Sequence, residues 1–521
     1  MNIERFALNG TSQVTGSDTN RAEPDRFVVN TNDQLRVIYR HAVSILLAAN
    51  DPPILFRRGG ELVTTEQYRT GRVIVPVTKA RLQKMLCEQA DWYHVTEQGE
   101  RVSAPPASVT AAILDQPDER FPPLDALAQG PMLGPDWDLI TEPGYHQSAR
   151  IILDTDMSNN RSELFQPSLE DARSLIFEAL QDFPFADTAS RAHAIALMLL
   201  PFVRPALGLN TTPLHFVHSP TPGTGKGKLV DLVSVIAMGR RSHPTTLSSS
   251  SDENRKKLTA LLAQGERIIL LDNVPQNRIL NDPALASILT TSVPTDRLLG
   301  RSKMLRLSNQ AVWMVTANNP QFTLELARRS VSIHLDAQCE RPWLRSTFRH
   351  PDLIGWASEN RRSLVAACLT LIKAWLDRGQ PKACGQLLGS FEVWSSIIGG
   401  ILNVARIPGF LENLNEAYSK SDTLTEEWRA LAEVWWKKYG SQPVNASAVC
   451  ELCHEHVLLD EVIGFGSSRS QLSRLGRALQ RNLGCVYDDK KLIRHRDAVR
   501  SSARYRLVTL LNSRSPGLRP N

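Results

Sequence analysis

The chain has 521 residues, of which 42% are hydrophobic and 22% are charged, and its formal net charge is +6; these values are typical of a soluble globular protein of about three domains. Its longest apolar stretch, residues 194–203, has about half of the ~20 residues that a transmembrane helix needs, and Pro201 interrupts it, which excludes a membrane-spanning protein. The first residues lack a secretory signal, and the seven cysteines are mostly isolated, so we expect a cytoplasmic protein without a membrane partner.

Patterns of polar and apolar residues divide the chain into five segments. The first is polar and glycine-containing, which predicts disorder, and the second contains a hairpin pattern around Gly59-Gly60. We predict, in chain order, a disordered tail, a small mixed N-terminal domain, an α/β phosphate-loop domain with a parallel sheet, a helical region and a basic winged-helix-like domain, at residues 1–30, 31–160, 161–345, 346–440 and 441–521.

Two helices are predicted before the α/β pattern begins. Ser168-Leu-Glu-Asp171 has the spacing of a capping box and opens an apolar-periodic segment that runs to Phe183. A second helical pattern covers residues 188–203. Beyond residue 213, β-rich runs alternate with helical patterns, which favours a parallel sheet with a ligand at the carboxyl ends of its strands.

The sequence from Ser219 to Leu229 reads Ser-Pro-Thr-Pro-Gly-Thr-Gly-Lys-Gly-Lys-Leu and follows a strand pattern at residues 214–217. A strand, a glycine-rich loop and a helix in this order present backbone N–H groups to phosphate oxygens. We therefore predict that ATP binds here, with Lys226 on its outer phosphates. The predicted loop comprises Pro222, Gly223, Thr224, Gly225, Lys226, Gly227 and Lys228.

Two positions depart from the usual Gly-x-x-x-x-Gly-Lys-Ser/Thr pattern. Pro220 stands where the first glycine belongs, and Gly227 stands where a hydroxyl should bind Mg²⁺. Mg²⁺ must then be held by ATP, carboxylate and water, or by another hydroxyl such as that of Thr224.

Polar residues follow two later strand patterns. Residues 268–271 form an apolar run that is followed by Asp272, and in phosphate-loop ATPases an aspartate at this point binds Mg²⁺. The next residue, Asn273, replaces an acid that often prepares the attacking water, so Glu253 is the candidate base by position. Residues 312–317 form another apolar run that ends in Asn318-Asn319, and either amide suits a residue that orients water and senses the terminal phosphate.

Cationic residues lie on either side of the second strand pattern. The segment 295–306 contains Gly300 at a predicted turn and reads as a hairpin with cations at its tip, namely Arg297, Arg301 and Lys303. Arg328 and Arg329 precede the strand pattern at 331–335, where an arginine can reach the nucleotide of a neighbouring subunit. Exposed surface cations are the alternative in both places.

Positive charge is concentrated at the C-terminal end. Residues 462–521 contain 13 Lys and Arg against three Asp, a net charge of +10, which leaves −4 on the other 461 residues. Helical patterns at 446–457 and 470–483 precede two short strand patterns, as in a winged-helix unit. Arg474, Arg477 and Arg481 share one face of the second helix and are candidates for DNA binding. A solvated basic face without a partner is the alternative.

One cysteine motif is interpreted as part of the first of these helices. Cys450-Glu-Leu-Cys453-His454 has the spacing of a c-type haem attachment signature, but haem attachment requires export and zinc requires further ligands.

The order of these motifs resembles the AAA+ helicases of superfamily III, in particular the primase-helicase proteins of phages, poxviruses and integrated bacterial elements. The resemblance covers residues 165–340 and extends more loosely on both sides. It is carried by Pro222-Gly-Thr-Gly-Lys226, Leu271-Asp-Asn-Val274, Thr316-Ala-Asn-Asn319 and Leu326-Ala-Arg-Arg-Ser330. It implies a hexameric ring that hydrolyses ATP with Mg²⁺ between subunits and moves along single-stranded DNA, with the cationic hairpin lining the central pore and contacting DNA phosphates.

Three functions remain open from the sequence. The first is an ATP-dependent DNA helicase or replication protein of a mobile genetic element. The second is a non-hydrolysing AAA+ scaffold or origin-binding regulatory protein, which Gly227 and Asn273 favour. The third, a primase-helicase fusion, is disfavoured because the N-terminal domain has no evident pair of catalytic carboxylates, so priming would come from a separate primase or polymerase.

Overall fold

The protein is described here from a computed structural model that covers residues 27–69, 71–155, 167–274, 279–297, 304–318, 321–383, 385–421, 423–464, 466–495 and 503–510. Its contacts divide the chain into an N-terminal unit, residues 1–124, and a C-terminal unit, residues 125–521. Among the described residues, no helix combines the length and the apolar character that crossing a bilayer requires.

The described part of the N-terminal unit contains two small sheets and three helices. One sheet has the order β1-β5-β6 and the other is the antiparallel meander β2-β3-β4. The predicted hairpin at Gly59-Gly60 is confirmed, and both glycines have the positive φ that a tight turn needs. The elements are β1 (Phe27–Asn30), α1 (Leu35–Ala48), β2 (Phe56–Arg58), β3 (Glu61–Tyr68), β4 (Gly71–Pro76), α2 (Lys79–Gln89), β5 (Ala90–Thr96), β6 (Gly99–Val102) and α3 (Ala107–Asp115).

The predicted tail is wrong in its last four residues. Residues 27–30 form β1, which pairs in parallel with β5. Val29 in this strand is buried against the helices of the unit, and this burial stabilises the segment. The polar residues before it in the sequence give no sign of this contact. Residues 1–26 lie outside the described residues.

The C-terminal unit begins earlier than the predicted α/β domain. Residues 126–153, which the sequence groups with the N-terminal domain, belong to this second unit. Leu133 joins the core of the unit, Trp137 makes an edge contact with Trp375 at a centroid distance of 5.0 Å, and Arg361 donates to the Gln129 carbonyl at 2.8 Å. Contacts between residues so far apart in the sequence cannot be predicted from a local pattern.

Strands and helices of the C-terminal unit alternate through its middle, as the sequence predicts, and the described elements from residue 353 to residue 439 are helices. The elements of the unit are β7 (Ala126–Ala128), β8 (Met132–Leu133), β9 (Leu139–Ile140), β10 (Gly144–His146), β11 (Ile151–Leu153), α4 (Leu169–Leu180), α5 (Thr188–Val203), β12 (Leu214–Ser219), α6 (Lys226–Met238), β13 (Pro244–Thr245), α7 (Ser251–Ala263), β14 (Ile268–Val274), β15 (Ile279–Leu280), α8 (Pro283–Thr290), β16 (Thr295–Arg297), β17 (Met304–Arg306), β18 (Val312–Asn318), β19 (Gln321–Phe322), α9 (Leu324–Ala327), β20 (Ser330–His334), α10 (Leu353–Glu359), α11 (Arg361–Asp377), α12 (Glu392–Val404), α13 (Leu414–Ser421), α14 (Thr423–Tyr439), β21 (Val444–Asn445), α15 (Ala446–His456), α16 (Asp460–Ile463), α17 (Ser468–Arg481), β22 (Val486–Tyr487), β23 (Lys490–His495) and β24 (Arg504–Thr509).

A five-stranded sheet forms the centre of this unit. Its order is β13-β14-β18-β12-β20, and all of its paired strands are parallel, which confirms the predicted mixed α/β fold with a parallel sheet. Alternate residues of β18 face opposite cores, with Met314 on the side of α5 and α6 and Trp313 on the side of α7 and α8. Burial on both faces explains the nearly continuous apolar runs in the sequence.

The capping signal at Ser168 acts as predicted. The Ser168 side chain accepts from the Asp171 N–H at the start of α4, although this helix ends at Leu180 rather than Phe183. The Asp187 side chain caps α5, whose bounds agree with the predicted residues 188–203.

The predicted cationic hairpin has the expected stem. β16 and β17 pair antiparallel, and Thr295 lies opposite Arg306. The buried Asp296 carboxylate accepts from Arg255 and from the Thr259 hydroxyl, so the stem is held against α7. The tip, residues 298–303, lies outside the described residues.

The last part of the chain has its own apolar core. It contains α15, α17 and a four-stranded antiparallel sheet of order β21-β24-β23-β22, in which β23 was not predicted from the sequence. Cys450 and Cys453 are buried in α15 as residues of a helix, and burial raises the pKa of the Cys453 thiol to about 12. Across the described residues, no group of three metal-binding side chains clusters in this part or elsewhere.

Candidate functional site

The predicted phosphate loop connects β12 to α6. Gly223 and Gly225 have φ values of +78° and +101°, and Gly225 precedes the first residue of α6. Glycine tolerates this left-handed region, where a side chain is strained. The first N–H groups of α6 have no acceptor within the helix and carry the positive end of its dipole. The loop therefore has the local geometry of an anion site.

Lys226 lies between the loop and the neighbouring strand. Its ammonium group donates to the Ser219 hydroxyl and to the Asn318 amide oxygen, each at 2.5 Å. Burial lowers the pKa of Lys226, and the negative charge of Asp272 opposes this effect. The amine and the amide at the end of β18 are thus brought into direct contact, and this contact places Asn318, rather than Asn319, beside the loop. Asn319 lies outside the described residues.

Asp272 lies where the register between β14 and β18 is broken. The break falls between Leu271 and Val274, and such irregularities redirect side chains. The Asp272 carboxylate accepts from the Thr316 hydroxyl across the two strands. Asn273 follows it in β14, and only its backbone is described.

A cleft of about 560 Å³ joins these groups. Its wall consists of the loop residues, of Asp272, Thr316 and Asn318 at the strand ends, and of Asp231 and Arg241. Three adjacent parallel strands, β14, β18 and β12, end here, which is where ligands bind in open α/β sheets. The carboxylate and hydroxyl oxygens in this wall are the ligands that Mg²⁺ prefers, so the residues fit that ion.

Asp231 and Arg241 were not predicted as site residues. Burial raises the pKa of the Asp231 carboxyl, Arg241 and Lys228 oppose this change, and the negative charge of Asp272 adds to it. The Arg241 Nε lies 3.6 Å from the Asp231 carboxylate. The signal in the sequence is a carboxylate four positions after Gly227, in a helix that from Leu229 onward is otherwise apolar except for Ser234.

A second cavity, of about 200 Å³, adjoins the other side of the loop. This aromatic cavity is lined by Phe183, Trp343 and Phe348 together with polar and charged residues, and Trp343 lies close to Gly223. The buried Thr224 lines this cavity and does not line the cleft that contains Asp272. This makes Thr224 a poor replacement for the hydroxyl that Gly227 lacks.

The predicted catalytic base, Glu253, lies away from the cleft. Glu253 is exposed at the start of α7 and accepts from Lys256 at 2.7 Å, which lowers its pKa. Glu253 is not part of the cleft wall, so its predicted role as a base has no support from the geometry.

The two candidate arginines differ in their surroundings. Arg329 donates to the Glu325 carboxylate at 2.5 Å, four residues earlier in the chain. Arg328 is exposed at the end of α9. Neither lines the cleft of its own chain.

The candidate DNA-binding residues also differ. Arg297 is exposed at the end of β16, whereas Arg301 and Lys303 lie outside the described residues. On α17, the Arg474 guanidinium donates to the Ile463 carbonyl at 2.5 Å and packs beside Gly464, which indicates a structural role.

The remaining two arginines of α17, Arg477 and Arg481, are exposed on the same face of the helix. They are the members of the predicted triplet that a polyanion can reach.

Neither a protein-family model nor a curated protein matches the chain. Two apo structures of the NrS-1 C-terminal region each cover 90% of this chain and 98% of their own at 12% sequence identity, with TM-scores of 0.40 and 0.36. A structure of JCV helicase with a bound thiazolopyridine compound covers 50% of this chain and 75% of its own at 12% identity, with a TM-score of 0.20. Scores this low leave the function to be inferred from the geometry of the site.

Proposed function

We propose that the chain binds ATP with Mg²⁺ in the cleft beside α6 and uses ATP hydrolysis to move along single-stranded DNA, as an AAA+ helicase or replication protein of a mobile genetic element. The observation that carries this proposal is the convergence of Lys226, Asp272 and Asn318 at the ends of three adjacent parallel strands. An ammonium, a carboxylate and an amide in one cleft, next to a helix N-terminus, suit a bound triphosphate.

Each of these residues would have a defined task. The N–H groups of the loop and Lys226 would bind the outer phosphates, with Lys226 exchanging its contacts to Ser219 and Asn318 for phosphate oxygens. Mg²⁺, when bound, would neutralise phosphate charge, and Asp272 is the first candidate to hold it. Asn318 would orient the attacking water.

The aromatic cavity supports a nucleotide rather than a simple phosphate. It shares Gly223 and Gly225 with the cleft, so a ligand whose phosphates bind the loop can place its base against Trp343. A cavity of about 200 Å³ is of the size of a purine base, and stacking on aromatic side chains is a common way to bind one.

The DNA-binding and ring-forming parts of the proposal have separate support. Arg297 at the hairpin, and Arg477 and Arg481 on α17, are exposed cations suited to phosphate contact that does not depend on sequence. Arg328 is a better candidate than Arg329 to act on the nucleotide of a neighbouring subunit in a hexamer, because Glu325 holds the latter.

A non-hydrolysing ATP-binding scaffold is the second candidate. It is favoured by Gly227, which supplies no hydroxyl to Mg²⁺. Steady-state ATPase assays with and without single-stranded DNA distinguish the two. We expect hydrolysis that DNA stimulates and that Lys226→Ala abolishes. ATP binding without hydrolysis in either condition would favour the scaffold.

A further inference from the structure

We propose that Asp231 replaces the hydroxyl that is missing at Gly227 and, together with Asp272, holds the Mg²⁺ of the bound nucleotide. This inference rests on the proposed function, because it concerns the same cleft. It names a further residue for the site, one that the usual phosphate-loop pattern does not contain.

The position of Asp231 on α6 carries the first step. Residues four apart lie on the same face of an α-helix, so Asp231 follows Gly227 along the face that lines the cleft. Apart from its chain neighbours and the backbone of α6, no heavy atom of the described residues lies within 4 Å of a Cβ built at Gly227. The space where the usual hydroxyl would stand is therefore unfilled.

The second step is the electrostatic relation of the two carboxylates. Asp231 and Asp272 come from different elements, line the same cleft and repel each other. A divalent cation between them removes this repulsion and gains two oxygen ligands of the type that Mg²⁺ prefers. Three cations also line the cleft, namely Lys226, Lys228 and Arg241. Their positive charge offsets the negative charge that the phosphates add to that of the two carboxylates.

The interaction with Arg241 leaves the Asp231 carboxylate available to bind a metal ion. The closest atoms are 3.6 Å apart, longer than a hydrogen bond, and the Arg241 side chain is 58% exposed. Ion pairs of this kind contribute little to stability. A purely structural explanation of Asp231 therefore rests on a weak contact.

Other hydroxyl groups near the loop are less well placed. Thr224 lines the aromatic cavity rather than the cleft, and its hydroxyl is a 3.5 Å contact of the Lys226 ammonium. Thr316 lines the cleft, but its hydroxyl donates to Asp272 and so supports the carboxylate that is already assigned. Among the described residues that line the cleft, Asp231 is the one on α6 that carries a side-chain oxygen.

The test measures the gain in nucleotide affinity that Mg²⁺ gives, rather than activity. The full-length protein is titrated with a fluorescent non-hydrolysable ATP analogue, once with Mg²⁺ and once with EDTA, and the ratio of the two dissociation constants is the readout. We expect Asp231→Asn to reduce the Mg²⁺-dependent gain by about 10- to 100-fold, as loss of a metal-supporting group commonly does, without weakening binding in EDTA. Asp272→Asn is the positive control.

Two further variants separate a metal ligand from a structural residue. Gly227→Ser in the Asp231→Asn background restores a hydroxyl where the space is open, and we expect it to recover much of the lost gain. Arg241→Ala removes the only ion pair described for Asp231 and should change affinity alike with Mg²⁺ and with EDTA.

The outcomes are distinct. If Asp231→Asn keeps the full Mg²⁺-dependent gain, or if Arg241→Ala loses it equally, the inference is wrong while the proposed function stands. If the wild-type protein binds the analogue in neither condition, the proposed function itself is wrong. The thermal unfolding midpoint of each variant shows that it is folded.

Discussion

The phosphate loop offers a matched pair of glycine substitutions with opposite expected results. At Gly223 the backbone has φ +78°, and an added Cβ would lie 2.9 Å from the Trp343 Cβ and 3.2 Å from the Trp343 backbone nitrogen. At Gly227, inside α6, φ lies outside the left-handed region and an added Cβ would meet no heavy atom of the described residues within 4 Å. The same methyl group is therefore added to a closed site and to an open one.

The magnitudes follow from these contacts. Gly223→Ala costs about 1–2 kcal/mol for the left-handed backbone and a further ~1–3 kcal/mol for the overlap with Trp343, because backbone cannot move aside as a side-chain tip can. Gly227→Ala costs nothing sterically and gains up to about 1 kcal/mol, since alanine favours a helix over glycine. Gly208→Ala, at φ +58° with open space around it, measures the backbone cost alone.

The assay is urea-induced unfolding, and the readout is the midpoint concentration, compared among variants that share the same dependence of free energy on urea concentration. ATP affinity is measured alongside. We expect the order of stability to be Gly227→Ala, wild type, Gly208→Ala and Gly223→Ala, from highest to lowest, and we expect Gly223→Ala to bind ATP poorly because Trp343 and the loop must separate. Equal stability of the Gly223 and Gly227 variants would refute the loop geometry.

Three further predictions concern residues outside the loop. The fully buried His193 donates to the Ser332 carbonyl, and burial lowers its pKa to about 4 from 6.5. The unfolded chain thus binds the proton more readily, so His193 should contribute about 2 kcal/mol to the fall in the free energy of unfolding between pH 7 and pH 5, and the buried His215, with a pKa of about 3, adds to this fall. His193→Gln should remove the contribution of His193 in urea titrations at both pH values, and an unchanged fall would contradict this account. Trp343→Ala should weaken ATP binding by about 1–3 kcal/mol and leave the affinity for inorganic triphosphate unchanged in competition binding. Equal losses of affinity for the two ligands would exclude base stacking on Trp343. Arg328→Ala should lower kcat of the assembled ATPase by about 10³-fold or more, whereas Arg329→Ala should have a small effect; the reverse order would contradict the assignment.

Local patterns in the sequence predicted the elements that carry the site. The helix at 188–203 has its predicted bounds because its apolar run follows a capping aspartate. The loop at Lys226 and the strand that carries Asp272 were predicted because glycine spacing and apolar runs are local signals.

Features that depend on distant contacts were not predictable. β1 was assigned to a tail because its ordering comes from pairing with β5, some 60 residues later. The aromatic cavity joins Phe183 to Trp343 across 160 residues of sequence. Asp231 has no motif of its own, and its proposed role depends on a fold that brings α6 and Asp272 to one cleft.

Calorimetric titration of the intact protein with ATP and Mg²⁺ tests the central claim most directly. The wild-type protein should bind ATP, and Lys226→Ala should weaken binding by about 1.5–3 kcal/mol or more, because a charge-assisted contact to phosphate is lost. Lys257→Ala removes an equal charge from α7, where the ammonium donates to the Thr246 carbonyl outside the cleft, and should leave the affinity unchanged. Equal ATP affinity of the wild type and Lys226→Ala, or no binding by the wild type, would contradict the account.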